Sequence, residues 1–328
     1  MSKVIVVGAS QGGVPALMQL ASALPADLAA PVLVVLHIGE HRSILPALLA
    51  RDASVRTSHA QDGETIRAGH VYVAPPDHHM LLVGEKITLT RGPKEHHTRP
   101  AIDPLFRSAA LAHGSDVVGV VLTGNLDDGT NGLQVIKERG GIAVVQDPDD
   151  AEVRSMPVSA LRYVDVDHCL PLPLIPMLLT TLAAAPPRPA VQTTESVSAH
   201  EQALTLREGD AMEHLESIAE PSTFVCPECH GALWKVLDSR PQRYRCHTGH
   251  AFTSRTLQDS LAVASDEALW SSFRALQERQ MLLQYMAEHD RAVGEARSAE
   301  RFAAAAERLE RQAEVLRGLI EKSPDPVE

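Results

Sequence analysis

The first half of the chain alternates fully apolar runs with segments in which apolar residues recur every three to four positions. Leu17, Leu20 and Leu24 are one such helical series. Strands that are buried on both faces read as continuous apolar runs, which is typical of parallel sheets covered by helices. The pattern therefore predicts an α/β fold with a doubly wound, mostly parallel sheet. The apolar runs are residues 4–7, 32–36, 117–122 and 142–146.

Residues 55–91 interrupt this pattern with short alternating pieces at 71–73 and 87–90, punctuated by glycines. Alternation over a few residues between glycines predicts β-hairpins. The strand and helix pattern then resumes, and a helical segment near 174–184 closes it. We expect a single α/β domain over residues 1–185, with a hairpin region inserted in it.

The second half of the chain changes character three times. Residues 186–222 are rich in Pro, Thr and Ser at their start, which predicts an extended linker. A compact cysteine-containing module is expected over 223–255. Two long helical patterns, with Gly294 as the turn between them, predict an α-helical hairpin over 256–322.

Composition and charge narrow the class of protein. The chain has 328 residues, of which 44% are hydrophobic and 22% charged, as in soluble globular proteins of two or three domains. A net charge of −12 argues against nucleic acid as a partner. No apolar run reaches membrane-spanning length, and the apolar start is too short for a signal peptide. We expect a cytoplasmic protein without membrane insertion.

Three polar residues follow predicted strands at what should be one edge of the sheet. Ser10 follows the first strand, His37 the second, and Asp128 the strand at 117–122. Ligands of open α/β sheets bind at this edge. A serine becomes a nucleophile when an imidazole takes its proton, and a carboxylate orients that imidazole. The pattern predicts a catalytic triad.

The glycine-rich turn around Ser10 has another reading, because such turns more often cradle phosphates. The turn Gly8-Ala9-Ser10-Gln11-Gly12-Gly13 lacks both dinucleotide spacing and the lysine of an ATP-binding loop. At the other two positions, the alternatives are a His37 that is hydrogen-bonded without a catalytic role and an ordinary Asp-Gly turn. Taken together on one sheet edge, the three residues favour the triad. The helix that begins near Val14 would direct its N-terminal N–H groups toward a developing oxyanion.

Several segments of residues 1–185 resemble the catalytic domain of the chemotaxis protein-glutamate methylesterases (CheB), in the form that lacks a receiver domain. The resemblance implies hydrolysis of glutamate γ-methyl esters on chemoreceptors, with methanol as product, and glutamine deamidation as a second reaction. Ser10 is then the nucleophile, His37 the general base and acid, and Asp128 its orienting carboxylate. No cofactor is implied for catalysis. The segments are Val7–Gly13, Leu36–His37, Ile66–Pro75, Arg99–Ser108, Leu122–Gly124, Asp128–Leu133, Gln146–Pro148 and Met156–Pro157.

The resemblance also implies an oxyanion site made by backbone N–H groups of the Ser10 turn, at Gln11 and Gly12, and of Asn125. The chain departs from the family at three nearby positions. Gln11 stands where the family commonly has Thr, Asn125 where it has Met, and Gly39 where it has Pro. If these residues contribute only their backbone N–H groups, the unusual side chains do not affect turnover. The loss of one oxyanion donor would lower turnover by about 10²–10³-fold.

Three of the four cysteines lie in the module, where sixteen residues separate Cys229 from Cys246. A Cys-x-x-Cys pair followed by a Cys-x-x-x-His pair predicts a structural zinc site with ligands Cys226, Cys229, Cys246 and His250. The alternate ligands are His230 and His247, and a redox-active Cys-x-x-Cys is the competing interpretation. Similar cysteine segments are familiar from C-terminal extensions of receiver-less methylesterases. As a hypothesis, the module and the helical hairpin bind a partner protein or the esterase itself.

Other polar residues of the first domain receive weaker interpretations. Arg99, Asp103 and Arg107 are equally well explained as substrate contacts or as structural residues. Asp127 is expected to be a solvated turn residue, and so are the loop histidines, at 78, 79, 96 and 97. The main prediction is a methylesterase acting on a methylated chemoreceptor. A nucleotide-binding module and a catalytically weak or silent signalling scaffold are the alternatives.

Overall fold

The computed structural model describes residues 3–38, 42–189, 191, 197–237 and 239–322. Gly39 and part of the predicted linker therefore lie outside the described residues. The chain divides into two compact units, Met1–Leu257 and Gln258–Glu328, and each is considered separately below.

The first unit contains a seven-stranded sheet with the strand order β3-β4-β2-β1-β7-β8-β9, in which all neighbouring strands are parallel. This confirms the predicted mostly parallel sheet. Strands β5 and β6 form an antiparallel hairpin, whereas β3 and β4 join the parallel sheet although the sequence favoured hairpins there. The strands of this sheet and hairpin are β1 (Val4–Ala9), β2 (Val32–Leu36), β3 (Arg56–His59), β4 (His70–Val73), β5 (His79–Val83), β6 (Lys86–Thr90), β7 (Val117–Val121), β8 (Ile142–Gln146) and β9 (His168–Leu170).

Helices cover both faces of the sheet, because alternate residues of each buried strand point to opposite faces. On one face, Val7 packs with Leu17 and Leu179, and on the other, Val6 packs with Phe106 and Leu133. The helices of this domain are α1 (Gly13–Ser22), α2 (Leu45–Leu49), α3 (Ile102–His113), α4 (Thr130–Glu138), α5 (Ser155–Tyr163) and α6 (Ile175–Ala184). The hydrophobic core thus holds the carboxyl ends of β1, β2 and β7 in fixed positions.

The chain that follows folds into a small C-terminal module, which belongs to the same compact unit. It consists of α7 (Val197–Leu206), α8 (Ala211–Ile218) and an antiparallel sheet of β10 (Ala219–Val225), β11 (Ala232–Val236), β12 (Arg243–Cys246) and β13 (Ala251–Thr253). Helices α7 and α8 lie within residues 186–222, where the sequence predicted an extended linker. The reason for the difference is a local core in which Leu204, Leu215 and Ile218 are buried. Residues 190 and 192–196 of that linker are not described.

Buried ion pairs join the C-terminal module to the catalytic domain. Glu95, which follows β6, accepts hydrogen bonds from Arg107 of α3 at 2.8 Å and pairs with Arg245 of β12 at 2.9 Å. Glu201 of α7 binds the same Arg245 at 2.9 Å and also pairs with Arg243. Arg107, Arg245, Glu95 and Glu201 are each at most 2% exposed. Breaking a pair inside such a network leaves a buried charge without its partner.

Replacing Arg245 with Met should therefore destabilise the protein by about 3–5 kcal/mol, because Glu95 and Glu201 keep their charges without this counter-ion. Lys235→Met is the matched control. Lys235 lies on the neighbouring strand β11 and pairs with Glu220 at 3.3 Å, but both side chains are about half exposed. It should cost at most about 1 kcal/mol. The free energy of unfolding in urea measures both, and equal losses would contradict the role given to the network.

The second unit is helical. Helix α9 (Ser254–Ala292) ends in a turn in which Gly294 has φ 86°, and α10 (Ala296–Ile320) follows. Ala299, Ala306 and Ala313 of α10 are buried at seven-residue spacing, so one face of this helix is covered. No helix in the described ranges is long and apolar enough to cross a membrane. The partner expected for the predicted helical hairpin stays a prediction.

Candidate active site

Ser10, His37 and Asp128 meet at the carboxyl edge of the parallel sheet. Their strands, β2, β1 and β7, are adjacent, so the loops that follow them lie side by side. The Oγ of Ser10 is 3.0 Å from Nδ1 of His37, and Nε2 of His37 is 2.8 Å from Oδ2 of Asp128. The structure thus brings the three predicted catalytic residues into one chain of hydrogen bonds.

The turn that presents Ser10 requires glycine. The backbone N–H of Gly13 donates to the carbonyl of Ser10 at 2.8 Å, and Gly12 has φ 76° and ψ −1°. These angles at the third residue correspond to a type II turn, which favours glycine there. Opposite the turn, a Cβ on Gly124 would lie 2.8 Å from Cβ of Ser10. Gly124 therefore lets the loop after β7 approach the serine closely.

Asp128 is held as a carboxylate by a dense set of donors. It is 1% exposed, and besides His37 it accepts backbone N–H bonds from Ile102 at 2.7 Å, Asp103 at 3.0 Å and Gly129 at 2.8 Å. Burial alone would raise the pKa of Asp128, but the charge of His96 and the hydrogen bond from His37 outweigh it and lower that pKa to about 2. Asp128 is therefore ionised throughout the neutral pH range.

The charge of Asp128 determines how His37 can act. A carboxylate only accepts hydrogen bonds, so Nε2 of His37 must carry the proton in this pair. Nδ1 is then free to accept the hydroxyl proton of Ser10. The side chain of His37 is 18% exposed, so it is accessible from the surface. The arrangement can deprotonate a serine and store the positive charge that results.

The predicted oxyanion residues belong to the turn of Ser10 and to the loop that approaches it at Gly124. Gln11 is exposed, and its carbonyl accepts a hydrogen bond from Oγ1 of Thr123 at 3.0 Å. Asn125 is exposed, and its Oδ1 accepts from the N–H of Leu126 at 2.9 Å. Within the described part of the chain, the backbone N–H groups of Gln11 and Asn125 have no acceptor. Because backbone groups are the candidate donors, the unusual side chains at these two positions need not alter them.

Two residues next to Asp128 were expected to be solvated but are buried. Asp127 is 4% exposed and accepts a hydrogen bond from Oγ1 of Thr253 at 2.9 Å. His96 is 8% exposed, and its Nε2 is 2.8 Å from Oδ2 of Asp103. The expectation was wrong because β13 of the C-terminal module covers this loop. No feature of the sequence near Asp127 or His96 indicates that a distant strand covers them.

The remaining charged candidates have structural partners. Arg99 donates to Asp77 at 2.8 Å and to the carbonyl of Gly92 at 2.7 Å. Asp103 accepts from the N–H of Gly132 at 2.6 Å, which ties α3 to α4. His79, another histidine that was expected to be solvated, is fully buried between the carbonyl of Pro93 and the N–H of Ala101, and burial lowers its pKa to about 4. These side chains stabilise the segments around the candidate site.

The four predicted metal ligands of the C-terminal module lie together. The Sγ atoms of Cys229 and Cys246 are 3.6 Å apart, and Nδ1 of His250 lies 3.5 Å from Sγ of Cys246 and 3.7 Å from that of Cys226. All four donor atoms lie within 4.8 Å of one another. Tetrahedral zinc with its usual bond lengths needs about 3.8 Å between sulfurs and about 3.6 Å between sulfur and nitrogen. The spacing fits that ion.

Comparisons with known proteins give the same family over about half of the chain. The family model described as CheB methylesterase matches residues 5–179. A Leptospira interrogans protein assigned as a protein-glutamate methylesterase/protein-glutamine glutaminase is 38% identical over 180 residues, which are 54% of this chain and 93% of that protein. A protein-glutamate methylesterase/protein-glutamine glutaminase of Anaeromyxobacter dehalogenans is 38% identical over 55% of this chain, and only 53% of its own length is matched.

A solved structure gives the same result. The crystal structure of the Thermotoga maritima CheB methylesterase catalytic domain is 32% identical, with a TM-score of 0.53. The match covers 56% of this chain and 99% of that domain. The family model, which matches residues 5–179, ends within the α/β domain.

Proposed function

Since the chain belongs to the CheB methylesterase family, we propose that it is a serine hydrolase that removes γ-methyl groups from glutamate residues of chemoreceptors. The names of its relatives also support glutamine deamidation by the same site. The observation that carries the proposal is the continuous hydrogen-bonded chain from Ser10 through His37 to Asp128.

The chemistry follows from these contacts. Oγ of Ser10 attacks the ester carbonyl carbon while its proton moves to Nδ1 of His37. The oxyanion that forms accepts hydrogen bonds from the N–H groups of Gln11 and Asn125. His37 returns the proton to the departing methoxide, so methanol leaves and the acyl group stays on Ser10. Water, deprotonated by His37, then releases the glutamate carboxylate and restores the serine.

Asp128 contributes to both halves of this cycle. Each attack places a positive charge on His37, and a buried carboxylate 2.8 Å away stabilises that imidazolium. The three backbone donors that surround Asp128 prevent its rotation, so it also fixes the plane of the imidazole.

The proposal is tested with receptor cytoplasmic fragments that carry labelled methyl esters. Incubation with the full chain should release methanol and leave an equal number of new carboxylates, detected by mass spectrometry of the receptor peptides. Fragments that were never methylated provide the control for background release. No methanol above that background, at enzyme concentrations equal to the substrate, would contradict the proposal.

We further propose that the C-terminal module holds a structural zinc ion through Cys226, Cys229, Cys246 and His250. All four ligands come from the protein, which leaves no open position for catalysis. The proposal is supported by the donor distances and by the tight turns on both sides of the site. In these turns the N–H of His230 donates to the carbonyl of Cys226, and the N–H of Gly249 to that of Cys246, each at 2.8 Å.

Purified protein should contain about one zinc per chain, and Cys226→Ser should lose most of it together with thermal stability. Cys169→Ser is the matched control, because Cys169 is an exposed cysteine on β9 of the catalytic domain. This variant should keep both the metal and the stability. Inductively coupled plasma mass spectrometry measures the zinc, and a Cys226→Ser protein with full zinc content would contradict the assignment.

A further inference from the structure

A second histidine lies behind the catalytic carboxylate. Nε2 of His96 is 2.8 Å from Oδ2 of Asp103 and 3.6 Å from Oδ1 of Asp128, and its Nδ1 is 3.9 Å from Oδ1 of Asp127. His37 binds the other oxygen of Asp128, Oδ2. Asp128 therefore lies between two imidazoles, of which only His37 contacts Ser10.

The charges around His96 favour its cationic form. Three carboxylates converge on one buried side chain, and in the described part of the chain they are the charged groups that face it. Burial opposes a charge on His96, but the carboxylates of Asp128, Asp103 and Asp127 outweigh it and raise its pKa to about 10. The cation in turn keeps the buried Asp128 ionised. Without it, three neighbouring buried carboxylates would repel one another and take up protons.

The C-terminal module fixes the position of His96. The backbone N–H of His96 donates to the carbonyl of Ala251 in β13 at 2.8 Å, and Thr253 of the same strand holds Asp127. His96 has φ 52°, in the left-handed region that few residues other than glycine, asparagine, aspartate and histidine adopt. Its side chain thus reaches Asp128 from a backbone that β13 holds.

We propose that His96 is a positioning residue for ester hydrolysis, which holds Asp128 as a carboxylate in the orientation that His37 needs, and that β13 of the C-terminal module keeps it there. The inference rests on the proposed function, since it assigns His96 to the same site. It gives the module a part in catalysis although its described residues have no hydrogen bond to Ser10.

The first test is His96→Asn, because asparagine tolerates the left-handed backbone and carries no charge. Methanol release should fall by about tenfold or more in kcat with little change in KM, because the carboxylate of Asp128 loses the cation that holds it in the orientation that His37 needs. The acidic limb of the pH profile should also move upward, because the positive charge of His96 no longer opposes protonation of the hydrogen-bonded Asp128–His37 pair.

His97→Asn is the matched control. His97 has φ 62° and follows His96 directly, but its side chain is 58% exposed and pairs with Glu228. This variant should keep the wild-type kcat and pH profile. Equal losses of kcat in the two variants would show that the effect comes from a disturbed loop, and this would overturn the proposal. A His96→Asn enzyme with wild-type kcat would also overturn it.

The second test needs no activity, and it separates this proposal from the proposed function. In ¹⁵N spectra of histidine-labelled protein, the signals of His96 are those that are present in the wild type and absent in His96→Asn. These signals should be those of an imidazolium, and they should remain so at pH values well above the usual histidine pKa of about 6.5. An uncharged His96 at neutral pH would overturn the proposal even in an active enzyme. A charged His96 in a protein without esterase activity would instead count against the proposed function.

Discussion

Ser10→Ala is expected to lower the turnover of methylated receptor by about 10⁴-fold or more, because it removes the atom that forms the acyl intermediate. Binding of the receptor should change little, since the hydroxyl of Ser10 contributes a single hydrogen bond, to His37. The measurement is methanol release under single-turnover conditions, where chemistry and not product release limits the rate.

Two further variants make this prediction specific. Ser22→Ala changes an exposed serine at the end of α1, whose hydroxyl donates only to the carbonyl of Gln19, and it should keep full activity. Combining Ser10→Ala with His37→Ala should cost no more than Ser10→Ala alone, because the two residues act as a unit. Additive losses would mean that His37 works independently of Ser10, against the mechanism proposed above.

Asp128→Asn should lower kcat by about 10⁴-fold, through the tautomer of His37. An amide has one oxygen, whereas the structure surrounds Asp128 with donors on both oxygens. Whichever way the amide turns, its NH₂ group faces a donor. If it faces His37, the imidazole must carry its proton on Nδ1, where it no longer accepts the proton of Ser10. KM should change far less than kcat.

Asp116→Asn is the matched control for this prediction. Asp116 immediately precedes the same strand β7 at its opposite end, where it pairs with Lys3 at 3.1 Å. The substitution removes a charge of the same kind far from the site, so kcat should stay near the wild-type value. A similar loss in both variants would point to a general dependence on the net charge or stability of the domain.

The central part of the site was predictable because its residues follow strands that the sequence marks clearly. Strands β1, β2 and β7 are uninterrupted apolar runs, and the parallel sheet that they predict places Ser10, His37 and Asp128 on one edge. The proximity of the four candidate metal ligands was predictable for a similar reason. Their spacing reflects two turns, each of which depends only on neighbouring residues.

The surroundings of Asp128 were not predictable, because they depend on contacts between distant parts of the chain. Thr253 reaches Asp127 across 126 residues, and Glu201 reaches Arg245 across 44. A histidine or aspartate in a loop is normally solvated, and nothing near His96 or Asp127 in the sequence indicates a covering strand. Helices α7 and α8 were missed because each is short, and their apolar residues pack mainly against one another and β10.

The proposed mechanism depends most on Ser10 being a nucleophile that His37 activates. The direct measurement is labelling of the full chain with a fluorophosphonate ester, which bonds to an activated serine oxygen with loss of fluoride, followed by peptide mass spectrometry. The mechanism predicts one phosphonylated peptide, which contains Ser10, and it predicts that this labelling is lost in His37→Ala. Labelling at another serine with Ser10 unmodified, or labelling of Ser10 that is equally fast in His37→Ala, would contradict it.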